Sequence, residues 1–86
     1  MSSAISIHFE VGQLVRWTCS RGESRHTREG MIVAVVRGGR NPNWALPVGM
    51  RPIRGYTRPR KETSYIVRIG TSKTSHWPVV ETMEVI

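Results

Sequence analysis

Apolar residues in this chain recur in short alternating runs, a pattern that predicts β-strands. Residues 13–19 place Val15, Trp17 and Cys19 on one face, and residues 63–69 alternate in the same way. No longer window carries apolar residues at helical spacing. The pattern therefore predicts an all-β protein.

One of the apolar runs differs from the others. Residues 30–37 are apolar on both faces, which is typical of a central strand covered on both sides. Two shorter runs, residues 76–80 and 83–86, follow near the end of the chain, and Pro78 confines the first of them to an edge, a strand end or a bulge. The sequence thus predicts five short strands.

The connections between these runs differ in length. Residues 20–29 are polar and predict a loop, residues 70–75 predict a tight turn, and residues 80–83 leave room for a single 3₁₀ turn. Residues 38–62 join the second and third strands through 25 residues that include four prolines. Loops longer than about 15 residues are uncommon in compact domains and are usually functional or disordered. We call residues 38–62 the insertion and expect function there.

The length of 86 residues allows a single domain, residues 1–86, in which residues 1–8 form an N-terminal arm or short strand. The longest apolar run, residues 31–36, is far shorter than the roughly 18 residues of a membrane span. The N-terminus lacks a signal-peptide pattern. Cys19 is the single cysteine, which excludes an internal disulfide and fits a reducing compartment. We expect a cytoplasmic protein without membrane contact.

The charge of the chain is unevenly distributed. The formal net charge of +7 comes from 13 basic and 6 acidic residues, and residues 37–61 hold seven basic residues and no acid. The remainder is neutral overall. Most of the cations are arginines, which suit bidentate phosphate contacts and stacking. An acidic partner, most simply nucleic acid, is the first inference; a basic loop that only aids solubility is the alternative.

The insertion interleaves its cations with aromatic rings suited to stacking on bases. Its apolar stretch, residues 44–48, is expected to fold back onto the core, whereas residues 51–61 are expected to be displayed. The predicted contact residues for nucleic acid or an acidic partner are Arg40, Trp44, Arg51, Arg54, Tyr56, Arg58, Arg60 and Lys61. A second basic group, whose charge is diluted by two glutamates, lies in the predicted loop at 20–29 and consists of Arg21, Arg25 and Arg28.

Residue types with catalytic or metal-binding chemistry are sparse. His8, His26, His76 and Cys19 show neither C-x-x-C nor H-x-x-x-H spacing, so no metal site is predicted. The chain has no aspartate and its six glutamates are scattered, which argues against paired-carboxylate catalysis. We expect a non-enzymatic protein without a cofactor.

The order FEVGQLVRW, GMIVAVV, SYIVRI and WPVVETMEVI resembles an SH3-like barrel of the KOW or Tudor kind. Residues at positions typical of that pattern are Gly12, Val15, Gly30, Ile32, Val35, Tyr65, Val67 and Val85. The resemblance covers residues 9–86 apart from the insertion. It implies a five-stranded barrel with a long basic insertion between the second and third strands, and it implies that loops and one barrel edge contact RNA, DNA or protein.

The same outline also resembles plasmid-encoded type II dihydrofolate reductase, an SH3-like barrel that works as a tetramer around a pore. The pore strand of that family reads Val-Gln-Ile-Tyr before Pro-Val, whereas this chain has Thr74-Ser75-His76-Trp77 before Pro78-Val79. The residues that bind folate and nicotinamide are therefore not matched. We keep the shared fold and reject the activity.

These observations predict a binding module that contacts nucleic acid, DNA or RNA, mainly through phosphates by way of residues 51–61. The alternative is a small protein-interaction or inhibitor module, of the kind that phages and mobile elements encode, docking on an acidic surface of a larger complex. Residues 5–9 could add a strand to a second copy, so a homodimer is a further expectation.

Overall fold

The computed structural model describes residues 9–55 and 58–86, and only the backbone of Arg21. Its four strands are β1 (Leu14–Arg21), β2 (Ser24–Val36), β3 (Ser64–Arg68) and β4 (Glu84–Val85). They form one antiparallel sheet in the order β3-β2-β1-β4. Two 3₁₀ helices, Pro42–Ala45 and Val80–Thr82, lie in the connections. The predicted all-β class is confirmed, and so is the 3₁₀ turn before the last strand.

Helices have little part in this fold. No α-helix occurs in the described residues. Among those residues, nothing helical is both long enough and apolar enough to cross a bilayer.

The prediction of a loop at residues 20–29 is wrong. β1 and β2 form a continuous hairpin whose last pair is Arg21 with Ser24, so the turn has two residues. Gly22 has a φ of +58° and Glu23 has no positive φ, as in a type II′ turn, which takes glycine at its first central position. The sequence pattern did not indicate these strands because the hairpin tip is exposed and polar on both faces.

β2 is an internal strand, as predicted, with the main core beside Ile32 and the second core beside Ala34 and Val36. The prediction that the strand is covered on both sides is wrong at Met31 and Val35, which are exposed. A bulge between Ile32 and Ala34 shifts its register with β3. Because neighbouring strand residues point to opposite faces, Val67 and Ile66 contribute to different cores. The main core contains Phe9, Val15, Trp17, Ile32, Tyr65, Val67 and Met83. The second core contains Ala34, Val36 and Ile66, against which Val33, Ala45, Leu46, Ile53 and Trp77 pack.

The insertion covers the second core with only part of its apolar stretch. Ala45 and Leu46 pack there, as does Ile53 further along. Trp44 is 77% exposed and Val48 is fully exposed. The expectation that all of residues 44–48 fold back is therefore wrong for these two side chains.

The predicted strand at residues 76–80 is reduced to one bridge. The His76 N–H donates to the Val67 carbonyl at 3.0 Å, and the Val67 N–H donates to the His76 carbonyl at 2.8 Å. Pro78 has no N–H and cannot extend the ladder. After the second 3₁₀ helix, β4 pairs with β1 on the opposite side of the sheet.

The candidate dimer strand, residues 5–9, lies outside the described residues except for Phe9. Phe9 is buried, and its ring meets the Tyr65 ring edge-on with 5.3 Å between centroids. Its N–H donates to the Tyr65 hydroxyl at 3.2 Å. The chain therefore already contributes to the main core before β1 begins.

Candidate functional site

The insertion is closed at its base. The Gly39 N–H donates to the Arg60 carbonyl at 2.7 Å. Gly38 lies so close to the other end of the insertion that a Cβ there would overlap the Lys61 carbonyl oxygen. The two ends of the insertion therefore run side by side.

Further hydrogen bonds hold the middle of the insertion. The Asn43 amide accepts from the Ile53 N–H at 2.7 Å and donates to the Ile53 carbonyl at 3.4 Å. The Arg51 N–H donates to the Lys73 carbonyl at 2.8 Å, and the Ser75 hydroxyl donates to the Arg51 carbonyl at 2.7 Å. The described part of the insertion is thus hydrogen-bonded both internally and to the segment after β3.

Arg60 anchors the insertion to the rest of the fold. Its guanidinium lies 3.8 Å from the centroid of the Trp77 ring and donates to the carbonyls of Trp77 and Pro78 at 3.0 and 2.7 Å. Partial burial lowers the pKa of Arg60 from its ordinary value. The expectation that residues 51–61 are displayed therefore does not hold for Arg60.

The other cations of residues 37–61 are exposed, namely Arg37, Arg40, Arg51, Arg54, Arg58 and Lys61. Within the described residues, ion pairs join Arg16 to Glu29 at 3.1 Å and to Glu84 at 3.3 Å, on the outer face of the hairpin. Among the described residues, no carboxylate forms an ion pair with Arg51 or Arg54. Their charge is available to an external anion.

The insertion also presents an aromatic ring. Asn41 caps the first 3₁₀ helix by accepting from the Asn43 N–H at 2.9 Å, and Trp44 projects from that helix into solvent. Tyr56, the other predicted stacking residue, lies outside the described residues. A large exposed ring on the same loop as exposed arginines suits stacking on a base.

The second basic group divides between the two faces of the hairpin. Arg28 is paired with Trp17 and lies on the face of the main core, whereas Arg25 is paired with Ser20 and lies on the opposite face. The side chain of Arg21 is not described. Of the two members whose side chains are described, Arg28 is thus the one on the face of the main core.

An open pocket of about 550 Å³ lies on the core side of the hairpin and is lined by Cys19, Ser20, His26, Thr27, Arg28 and His76. We call it the hairpin pocket. Its lining offers imidazole, guanidinium and hydroxyl groups, and no carboxylate among the described residues. Among the described residues, no group of three histidine, cysteine, aspartate or glutamate side chains is arranged to hold a metal ion. The chemistry of the pocket favours an anion.

The sequence contained a signal for this pocket that was not recognised. A tight turn at Gly22 places His26 opposite Cys19 and Arg28 opposite Trp17. The contribution of His76 depends on its bridge to β3, which no local pattern indicates. A loop at residues 20–29 gives no strand pairing, so the loop prediction did not place these side chains together.

The environment of His76 predicts a pH-dependent stability. Burial of the ring, and secondarily the charge of Arg28, lower the pKa of His76 from its ordinary value of 6.5. The unfolded chain then binds the proton more readily, so stability is full above about pH 6.5 and decreases as pH falls through the folded pKa. Denaturant titrations across this range should show the decrease. His76→Gln should remove that component and His26→Gln should retain it; an unchanged decrease in His76→Gln would contradict the assignment.

Comparisons with known proteins add nothing to this geometry. No family model, no curated protein and no solved structure matches the chain. A functional proposal therefore depends on the contacts described above.

Proposed function

We propose that this protein is a non-enzymatic binding module whose insertion contacts the phosphates of a nucleic acid. The observation that carries the proposal is an insertion held by hydrogen bonds in its described part and carrying exposed cations, of which Arg51 and Arg54 pair with no carboxylate in the described residues. A loop already held by hydrogen bonds loses little conformational entropy when it binds. Phosphate contacts are assigned to Arg51, Arg54, Arg58 and Lys61, with Arg40 and Trp44 as further contacts.

The proposal includes an SH3-like barrel of the KOW or Tudor kind as the scaffold. Support comes from the long bulged β2, from the 3₁₀ helix that leads into β4, and from the return of β4 to β1. The bridge at His76 takes the place of a fifth strand, and closure of the barrel belongs to this proposal. In domains of that kind, loops and one barrel edge contact RNA, DNA or protein.

Salt dependence of oligonucleotide binding tests the proposal. Four phosphate contacts predict a slope of about −3.6 when the logarithm of the binding constant for duplex DNA is plotted against that of the salt concentration. Fluorescence anisotropy of a labelled duplex measures this slope. Arg54→Gln should reduce its magnitude by about 0.9.

The matched control is Arg16→Gln, which removes the same charge from the outer face of the hairpin and should leave the slope unchanged. Because an exposed ion pair contributes little to stability, this control should fold normally. A flat slope, or no binding of duplex and single-stranded oligonucleotides at low salt, would overturn the proposal.

A second candidate function is docking on an acidic surface of a larger protein complex, with inhibition as one outcome. The exposure of Trp44 and Val48 favours it, because tryptophan and arginine are enriched at the hot spots of protein interfaces. Replacing Arg51 and Arg54 by glutamate separates the two functions. Oligonucleotide binding reports the first function, and co-purification of protein partners after nuclease treatment reports the second. Loss of a nuclease-resistant protein partner alone would favour docking.

A further inference from the structure

The hairpin pocket and the insertion meet at one segment of the chain. Through Arg51, the insertion is hydrogen-bonded to Lys73 and Ser75, and the next residue, His76, lines the pocket. Arg28 lies close enough to His76 for its charge to act on the imidazole. Residues with basic side chains therefore connect the insertion to the pocket, in the order Arg51, Lys73, His76, Arg28 and His26.

The hairpin pocket offers hydrogen-bond donors that suit one phosphate group. Both backbone polar groups of His76 are bonded to Val67, and the centroid of its ring lies 5.9 Å from that of the Trp17 ring. The guanidinium of Arg28 and the imidazole of His26 add donors to the same concavity. These donors favour an anion, because charge-assisted hydrogen bonds are stronger than those between neutral groups. The backbone of a flexible single strand can enter this concave pocket, whereas the convex surface of a duplex cannot.

We infer that a single-stranded nucleic acid held by the insertion continues over the sheet edge at Lys73 and places one phosphate between Arg28 and His76. This inference rests on the proposed function, because the insertion supplies the first contacts to the same strand. It extends the binding surface to the far face of the sheet. It also requires a strand long enough to reach both places.

Two lengths of single-stranded oligothymidylate test the inference, about 4 and about 16 nucleotides, the range that small barrels accommodate. The longer strand reaches both sites, whereas the shorter one occupies the insertion alone. In fluorescence anisotropy, Arg28→Gln should reduce the magnitude of the log–log salt slope for the longer strand by about 0.7 and leave the shorter strand unaffected. Arg16→Gln, on the opposite face of the same hairpin, should change neither.

A pH series gives an independent readout. A bound phosphate favours the protonated imidazole, so lowering the pH from about 7.5 to about 6 should tighten binding of the longer strand more than that of the shorter one. The groups facing His76 are Cys19 from β1 and His26 and Arg28 from β2, while β3 contributes the apolar Val67. His76→Gln should reduce the difference in pH response between the two lengths, while His26 remains in the pocket. An undiminished difference in this variant would overturn the role of His76.

The outcomes separate the inference from the function on which it rests. If the wild-type protein binds neither strand, the proposed function and the inference both fail. If both strands bind, but Arg28→Gln and Arg16→Gln give the same slope with the longer strand, the inference alone fails. Because Arg28 is exposed, thermal unfolding of Arg28→Gln should match that of the wild-type protein.

Discussion

Replacing Gly30 by alanine is expected to destabilise the protein by about 3 kcal/mol, the upper end of the usual cost of overpacking a core. Gly30 is buried in β2, where β3 passes closely. A Cβ at this position would lie 2.6 Å from the Arg68 carbonyl oxygen and 2.8 Å from Cγ1 of Val67. The carbonyl belongs to the backbone of the neighbouring strand and cannot rotate aside. The clash can be relieved only by moving β2 and β3 apart, which opens the main core.

Denaturant unfolding followed by tryptophan fluorescence measures this effect, since Trp17 is buried in the main core. Thr27→Ala, at an exposed position of the same strand, should change the free energy of unfolding by less than about 0.5 kcal/mol. Gly38→Ala places its clash at the exposed base of the insertion and should loosen the insertion without separating the strands. If Gly30→Ala has the same free energy of unfolding as the wild-type protein, β3 does not pass as closely to Gly30 as the structure indicates.

Replacing Arg60 by alanine is expected to cost about 2 kcal/mol, since hydrogen bonds from a charged group contribute about 1.5–3 kcal/mol and partial exposure weakens them. The variant loses two bonds to the carbonyls of Trp77 and Pro78, together with the contact to the Trp77 ring. The end of the insertion is then no longer fixed to the segment after β3. Affinity for nucleic acid should fall as well, because the exposed cations lose their fixed arrangement.

Arg54→Ala is the matched comparison, because it removes an arginine from an exposed position of the same insertion. Its free energy of unfolding should stay within about 0.5 kcal/mol of the wild-type value, while the magnitude of its log–log salt slope for oligonucleotide binding decreases. Arg60→Lys should recover little stability, since an ammonium group lacks the planar fork that bonds two carbonyls. Hydrogen exchange at the Gly39 amide, bonded to the Arg60 carbonyl, reports loosening directly. Wild-type stability of Arg60→Ala together with a smaller salt slope would show that Arg60 contacts phosphate instead.

The predictions from sequence failed for two segments, residues 20–29 and residues 76–80. Residues 20–29 are polar on both faces, so nothing in their alternation separates a solvated hairpin from a loop. Residues 76–80 alternate as a strand does, yet Pro78 lacks the donor needed to continue pairing. The hairpin pocket was missed for both reasons, because it lies between these two segments.

By itself, the sequence determined the all-β class, the internal position of β2 and the position of the excess positive charge. Alternation and composition are local properties of a chain, so they can be read without knowing what packs against what. Only the tertiary structure decided which cations remain available. Arg54 and Arg60 look alike in the sequence, and they differ because folding brings Trp77, seventeen residues after Arg60, against one of them and not the other. The joining of insertion and pocket likewise arises from contacts with residues 73–76, which exist only once the sheet edge has formed.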